Sequence, residues 1–447
     1  MQQVELTLEV KPEIAELLSD IKSVMDVYIT GGTIRSLFTG EKTKDVDMVV
    51  RDLDLLVEYL SQKYQVTQEA RSFRVVKVIL PSGYVVDVSG FRSETYDLIS
   101  RKPVVTPARS IEEDVMRRDF TMNSLYGEVV EFTGNKVRLR IVDLVGGLYD
   151  LQNGIIRATG NPTIRFLEDP LRMLRALRFA VKLGFEISPE TFEAITRLTD
   201  ELRRVSKERI REELDKMFLY NPAEALRLIY ISGVYRQVMP FLDGMAETYH
   251  DYRGHHHGES VLQHTIEDLT RLQQLHPINI YNVLAVVLHD IGKPYTRKVE
   301  NGKVMFIGHD KLSSEMAEEW LITMRYPNEI VYTVSGAISL HMKIHELQAT
   351  LSRKGIARMI VETRENAKVL ELGIQISESD EGRYYNELRS IVVEMLSMPR
   401  LVGGEDVMYL PPDKRTMALR KIREIQLSQG ITDRQQLLKL LKGLTLS

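Results

Sequence analysis

The stretch Val27-Tyr28-Ile29-Thr30-Gly31-Gly32-Thr33-Ile34-Arg35 constrains the fold more than any other in the chain. Its first four residues are rich in β-branched and aromatic types, the composition of a short buried strand. Gly31 and Gly32 then allow a sharp turn and leave no Cβ between the backbone and a ligand. Arg35 falls in the predicted first turn of a helix, where unsatisfied N–H groups and the dipole already favour an anion. Downstream, Asp45-Val46-Asp47-Met48-Val49-Val50 has the composition of a strand, in which two residues two apart, Asp45 and Asp47, point to one face. A glycine turn suited to phosphates, beside two carboxylates suited to Mg²⁺, predicts a nucleotide-handling site. Either motif alone is commonplace: most Gly-Gly pairs are plain turns and most Asp-x-Asp pairs are solvated strand ends.

A chain of 447 residues has room for about two to four domains with substantial cores. The absence of cysteine excludes disulfides, thiolate metal sites and cysteine nucleophiles. The segment from Met1 to Pro12 is polar and acidic and does not read as a signal peptide. No apolar run has membrane-spanning length, because Val283 to Leu288 gives way at once to His289-Asp290. A cytoplasmic protein without a membrane partner is the expectation. A net charge of -4 argues against a surface coated in positive charge, yet local basic stripes at Arg172 to Arg178 and Arg203 to Arg211 leave room for RNA.

Lys11 to Met25 reads as an amphipathic helix, and Asp52 to Tyr64 as another, with Leu53, Leu56, Val57 and Leu60 on one face. Arg74 to Leu80 and Tyr84 to Val88 are predicted strands of a hairpin closed by Pro81-Ser82-Gly83. Asp87 lies among apolar strand residues and is either a third metal-binding carboxylate or an acid exposed at the sheet rim. Ser93 to Asp114 shows little periodicity and reads as a long irregular connection. In Arg117-Arg118-Asp119-Phe120-Thr121-Met122-Asn123, arginine can fork onto phosphate, and Asp or Asn can bond ribose hydroxyls. In isolation the same residues read rather as the charged start of a helix.

Gly146-Gly147 through Gly154 to Gly160 and Pro162 forms a punctuated hinge, after which the chain turns almost wholly helical. Asp169-Pro170 predicts a helix start, with Asp169 as N-cap. Arg172, Arg175 and Arg178 recur at every third position and cover a stripe of roughly 120°, opposite Leu174, Leu177 and Val181. A stripe of this kind is usually a solvated face, but no acids stand at i+4 to pair with it, which favours ligand contact. Beyond Asp243-Gly244 the composition shifts toward histidine. His250 and the run His255-His256-His257 read as loop. His264, the vicinal pair His289-Asp290, His309, His341 and Asp380 suit a site for one or two divalent metals. From about Pro399 onward a small helical tail closes the chain, its last amphipathic helix at Asp433 to Leu444.

In this order the motifs resemble the class II, bacterial-type tRNA nucleotidyltransferases, the CCA-adding enzymes of the poly(A) polymerase family, in the form that carries an HD phosphohydrolase domain. The resemblance covers nearly the full length. It rests on Gly31-Gly32-x-x-Arg35 with Asp45-x-Asp47, on Arg117 to Asn123, on Asp143 to Gly160, on Glu168-Asp169-Pro170-Leu171-Arg172 through Arg178, on Val205 to Ile210, and on the His/Asp set. The chain departs from the family where Ser36 follows Arg35 in place of an acid, where Ser124 follows Asn123 in place of alanine, and where Pro411 to Ala418 lacks glycines.

The resemblance implies an α+β chain: a nucleotidyltransferase head of small mixed sheet and helices over 1–141, like that of polymerase beta, and a helical nucleotide-selecting neck over 142–245. An HD domain over 246–395 and a helical tail over 396–447 would follow. It implies that Asp45 and Asp47, assisted by Asp87, hold two Mg²⁺ ions, and that Gly31, Gly32 and Arg35 cradle phosphates. Arg118, Asp119 and Asn123 would bind triphosphate and ribose, and Asp169 and Arg172 would read the edge of CTP or ATP, supported by Arg175 and Arg178. The partner would be tRNA, at its acceptor end and elbow, and the HD site would take a divalent transition metal. The full-length Ser93–Asp114 stretch and the lack of a basic extension after Lys442 favour complete CCA addition over CC-only or poly(A) addition. The competing reading is an HD-type phosphohydrolase of cyclic or 2′-phosphates, as the main activity or a second one.

Overall fold

A computed structural model describes residues 4–41, 46–67, 74–96, 103–249 and 259–444. Asp45, His250 and His255-His256-His257 lie outside the described residues. The chain divides into two compact units, one of residues 1–205 and 232–237, the other of 206–231 and 238–447. The architecture is α+β, as the sequence predicts.

The first unit holds β1 (Glu5–Glu9), α1 (Pro12–Val24), β2 (Val27–Thr30), α2 (Gly31–Thr39), β3 (Met48–Val50), α3 (Leu53–Leu60), β4 (Gln65–Thr67), β5 (Val75–Ile79) and β6 (Val85–Gly90). There follow β7 (Arg92–Tyr96), β8 (Pro103–Pro107), α4 (Ile111–Val115), β9 (Tyr126–Thr133), β10 (Lys136–Val142), α5 (Gly147–Gln152) and β11 (Ile155–Ile156). Helices α6 (Pro162–Glu168), α7 (Leu171–Leu183) and α8 (Pro189–Leu198) complete it, with β12 (Glu186–Ile187) between α7 and α8. Eight strands form one mixed sheet in the order β1-β10-β9-β2-β3-β6-β5-β4, in which β3 and β6 run parallel and the other neighbours antiparallel.

Burial follows from the pleat. Val27, Ile29, Met48 and Val50 fill one face of the central strands, while Val49, Phe91, Val115 and Tyr126 form an apolar cluster on the other. Central strands covered on both faces read as continuous apolar runs, which is why Met48-Val49-Val50 shows no alternation.

The Ser93–Asp114 stretch corrects one expectation. It carries the antiparallel hairpin of β7 and β8, followed by α4. Val104, Val105 and Thr106 supply the β-branched content, and flanking prolines hide it, because proline is tolerated at a strand's ends. The hinge is likewise more structured than its glycines suggest, since it contains α5, β11 and α6. Asn161 caps α6 by accepting the Thr163 and Ile164 N–H groups. Asp169 therefore ends α6, and Pro170 occupies the cap position of α7. Its carboxylate still accepts the Leu171 N–H at 3.2 Å, so the local chemistry is that of a helix start displaced by one residue.

The second unit is helical: α9 (Lys207–Tyr220), α10 (Pro222–Ile231), then, after α11 (Tyr235–Val238), α12 (Leu242–Glu247), α13 (Val261–Leu275), α14 (Ile280–Leu288) and α15 (Lys293–Thr296). A hairpin of β13 (Arg297–Glu300) and β14 (Lys303–Phe306) leads to α16 (His309–Thr323), α17 (Asn328–Ile338), α18 (His341–Thr350), α19 (Arg353–Glu362), α20 (Ala367–Glu381) and α21 (Asn386–Ser397). The tail holds α22 (Pro412–Gln429) and α23 (Arg434–Leu444) around Val402, Val407, Leu437 and Leu441. No helix among the described residues is long and apolar enough to cross a membrane.

Candidate active site and metal centre

The glycine turn of the first unit is built around Asp47. Gly31 has φ +62, a conformation in which any side chain is strained, and a Cβ there would meet Asp47 Oδ2 at 3.0 Å. A Cβ on Gly32 would stand 3.8 Å from Arg35 Nη2 and 3.9 Å from Asp47 Oδ2. A carboxylate and a guanidinium thus flank the same bare backbone. The Asp47 N–H donates to Thr33 Oγ1 at 3.1 Å, which fixes the chain where it enters β3, and the residue is exposed.

Arg35 is buried on α2 and opens a hydrogen-bonded relay. Its Nη1 donates to Asn123 Oδ1 at 2.6 Å, and Asn123 Nδ2 donates to Asp119 Oδ1 at 3.1 Å. The far oxygen of Asp119 accepts both Nε and Nη2 of Arg175, at 2.9 and 2.6 Å. Burial raises the Asp119 carboxyl, but Arg175 outweighs it and the group is held down at about 2. An aromatic ring supplies the floor: Arg35, Arg175 and Arg178 place their guanidinium carbons 4.8, 5.6 and 4.3 Å from the centre of Phe179.

Arg118 donates to Tyr126 Oη at 2.9 Å, to the Asn123 carbonyl at 3.3 Å and to Asp114 at 3.0 Å. Arg172 is held from three sides, by the carbonyls of Arg165 and Arg117 and by Glu168 at 3.0 Å. The arginine stripe of α7 is therefore not a solvated face. The acids missing at i+4 are supplied by Glu168 at i−4 and, for Arg175, by Asp119 from the preceding motif, so the argument from uncompensated charge does not hold. Asp87 is not one of the hydrogen-bonded members of this relay, but the parallel register that pairs Met48 with Val88 sets it on β6 level with Asp47 at the entry to β3, half-exposed and ion-paired with Lys77 at 2.9 Å. Asp114, Phe179 and Glu41 escaped the sequence reading; Asp114 was legible as the i+3 and i+4 partner of Arg117 and Arg118, whereas only the fold brings Tyr126 to Asp114, Arg35 to Phe179 and Lys182 to Glu41.

In the second unit the five histidine and aspartate positions and His264 converge. Ligand atoms of His264, His289 and Asp290 lie within 4.8 Å of one another, as do those of Asp290, His309 and His341, and those of His264, Asp268 and Asp380. His289, His309 and His341 each donate Nδ1–H to a backbone carbonyl three residues back, at 2.6–2.7 Å, which turns Nε2 inward. The Nε2 atoms of His309 and His341 face each other at 3.2 Å. With both Nδ1 atoms donating, two lone pairs confront one another, an arrangement that a shared cation relieves.

Both Asp290 oxygens and Nε2 of His289 are buried and turned toward one another: Asp290 lies 3.3 Å from His289 Nε2 and 3.4 Å from His309 Nε2, and it is ion-paired with Lys293 at 2.5 Å. Burial lowers His289, but Asp290 and Asp268 push it up to about 9; burial pushes His341 down to about 3. Buried carboxylate oxygens facing inward-turned imidazoles are what a divalent cation requires, and the donor set fits one. Asp268 and His345 belong to the same cluster and were legible as the i+4 partners of His264 and His341. His345 Nε2 lies 3.0 Å from Asp380. An open cleft of about 1220 Å³ borders the cluster, lined by Lys293, Arg271, Arg383, Phe306, His345 and Asp380 among others. Saturating the protein with Ni²⁺, Co²⁺ or Mn²⁺ is expected to raise its unfolding midpoint by about 5 °C at a hundredfold excess over Kd, and not to raise that of His309→Ala with Asp290→Ala. Differential scanning calorimetry of both proteins checks this.

Three family models match the chain in order: the Poly A polymerase head domain over residues 27–157, the probable RNA- and SrmB-binding site of polymerase A over 184–245, and the HD domain over 261–379. The chain thus carries, in this order, the head domain of the poly(A) polymerases, their RNA-binding region and an HD domain. It is 38% identical to poly(A) polymerase I of Escherichia coli O157:H7 over 207 residues, 44% of this chain and 42% of that protein. It is 36% identical to the CCA-adding enzyme of Ligilactobacillus salivarius over 224 residues, 50% of this chain and 53% of the other. The chain thus spans about half the length of the curated relatives it matches. Its fold is shared along the whole length with the Bacillus stearothermophilus CCA-adding enzyme in complex with CTP (TM-score 0.68, 22% identity, 98% of each chain covered). It is also shared with the Thermotoga maritima CCA-adding enzyme complexed with tRNA (TM-score 0.65, 19% identity, 100% of each chain).

Proposed function

We propose that the chain adds CCA to the 3′ end of tRNA from CTP and ATP without a nucleic-acid template. The observation that carries this reading is the convergence of Asp47 and Arg35 on the bare Gly31-Gly32 backbone, joined through Asn123 and Asp119 to Arg175. The end-to-end likeness to CCA-adding enzymes supports it. Mg²⁺ held by Asp47 and Asp45 would supply an acidified 3′-hydroxyl and neutralise the leaving pyrophosphate. Gly31, Gly32 and Arg35 receive triphosphate oxygens, Arg118 adds its positive charge to the same site, and Asp119 with Asn123 binds the ribose hydroxyls. Asp169 and Arg172 read the base edge from a frame that Glu168 and the Arg117 carbonyl keep rigid. Arg175 and Arg178 brace the frame over Phe179.

The test is incorporation with Mg²⁺ on transcripts lacking CCA, ending in CC, or ending in CCA, and on an unstructured RNA. Two C additions, one A and a stop support the reading. Addition of A alone to the CC end, C alone, or long A tails each replaces it with the corresponding member of the family. The His/Asp cluster and its cleft favour a second activity, a metal-dependent phosphohydrolase. A transition metal held there by His264, His289, Asp290, His309, His341 and Asp380 would supply an activated water. Lys293, Arg271 and Arg383, which line the cleft, would offer positive charge to a phosphate.

A further inference from the structure

Glu41 is the last residue described before the segment that contains Asp45, and it is held by groups from two helices. Its Oε2 accepts Arg35 Nε at 3.0 Å and Thr39 Oγ1 at 3.0 Å, both from α2, and its carboxylate ion-pairs with Lys182 in the last turn of α7. Its side chain is only 15% exposed, and Arg35 is 8% exposed. Burial raises the Glu41 carboxyl, but Lys182 and Arg35 outweigh it, and the group is held below its ordinary value. Gly40 caps α2 in the left-handed conformation, φ 72, and so turns the chain sharply enough for Glu41 to fold back onto its own helix.

Arg35 has no freedom to swing once both ends of its guanidinium are engaged, Nε by Glu41 and Nη1 by Asn123. Nη2 is the nitrogen that faces the bare backbone of Gly32. Glu41 thus presents one edge of the guanidinium to the glycine turn. Through Lys182 the same carboxylate fixes the end of α7, the helix that carries Arg172, Arg175 and Arg178. We infer that Glu41 is a positioning residue for nucleotide binding, a clamp that orients Arg35 toward the triphosphate and holds the glycine-turn helix against the arginine helix. This rests on the transferase reading above. A guanidinium loosened by a missing carboxylate still carries its charge but loses its fixed fork, so the loss falls on nucleotide affinity.

The experiment measures initial rates of CTP incorporation into a tRNA transcript lacking CCA, with the full chain and its Glu41→Gln, Glu41→Ala and Lys182→Met variants. Glu41→Ala is expected to raise KM for CTP about tenfold with kcat within about threefold, and Glu41→Gln, which keeps the acceptor oxygen, to raise it less. The double variant Glu41→Ala with Lys182→Met is expected to be no worse than Glu41→Ala alone, because both changes break one clamp. An active wild type whose Glu41 variants keep KM within about twofold overturns the inference and leaves the transferase reading intact. The inference fails in the same way if the variants lose kcat and thermal midpoint while KM is unchanged, since that marks a purely structural residue. A wild type that incorporates no nucleotide on any transcript overturns the transferase reading, and the inference with it.

Discussion

Asp47→Ala is expected to lower nucleotide incorporation by about 10²–10³-fold, a loss far larger than any shift in the unfolding midpoint accounts for. Asp47 is exposed, and its bond to Thr33 comes from the backbone N–H, which alanine keeps. The carboxylate lies against the bare backbone of Gly31 and Gly32. Steady-state rates and calorimetry on the same preparation check both halves. Retained incorporation would sink the assignment of Asp47 as a metal-binding carboxylate. Asp87→Ala belongs in the same series. Its ion pair with Lys77 is half-exposed and contributes about 0–1 kcal/mol, so a loss of rate without a loss of stability would mark it as a third carboxylate of the site.

Asp114→Asn is expected to destabilise the first unit by about 3–5 kcal/mol, because it leaves two arginines without their shared anion. Asp114 is fully buried and accepts from Arg92 N–H at 3.0 Å, Arg117 Nε at 2.9 Å, Arg118 Nη2 at 3.0 Å and Tyr126 Oη at 2.6 Å. Burial raises its carboxyl, but Arg118 and Arg117 outweigh that and hold it below the ordinary value. A depressed folded pKa stabilises at pH above the unfolded value, near 4, and that stability is lost as pH falls through the folded one. Urea unfolding of wild type should therefore weaken below about pH 4, while the Asn variant starts lower and shows a flatter acid limb. Equal stability of the two proteins at pH 7 would contradict the role of Asp114 as the counter-ion that orders Arg117 and Arg118.

Much of the fold was legible. The strand Val27–Thr30 coincides with its apolar run, and the turn Pro81-Ser82-Gly83 closes the hairpin of β5 and β6, because both signals are local. The helices that follow the hinge obey the same logic. The hairpin of β7 and β8 was hidden because two short strands flanked by proline and charge carry no period long enough to read. Helix α6 was hidden by the glycines and proline before it, although Asn161 followed by Pro162 is a helix start of the usual kind. At the sites, the sequence offered the chemical types. His264, His289-Asp290, His309, His341 and Asp380 do come together in the structure, and the parallel pairing of β3 with β6 sets Asp87 level with Asp47.

What the sequence by itself determined is the order of motifs, the chemical types at each and the period of each helix, since these follow from nearest neighbours along the chain. Only the tertiary structure decided who pairs with whom. It set Arg175 on Asp119, Arg35 on Asn123 and Glu41, Lys182 on Glu41, and Arg172 on Glu168 and the Arg117 carbonyl. Buried charges must find partners of opposite sign, but several acids and arginines could satisfy that demand equally well on paper. The packing of α2 and α7 around Phe179 selects one set, because a guanidinium can reach only the carboxylates that the close-packed backbone brings within about 3 Å.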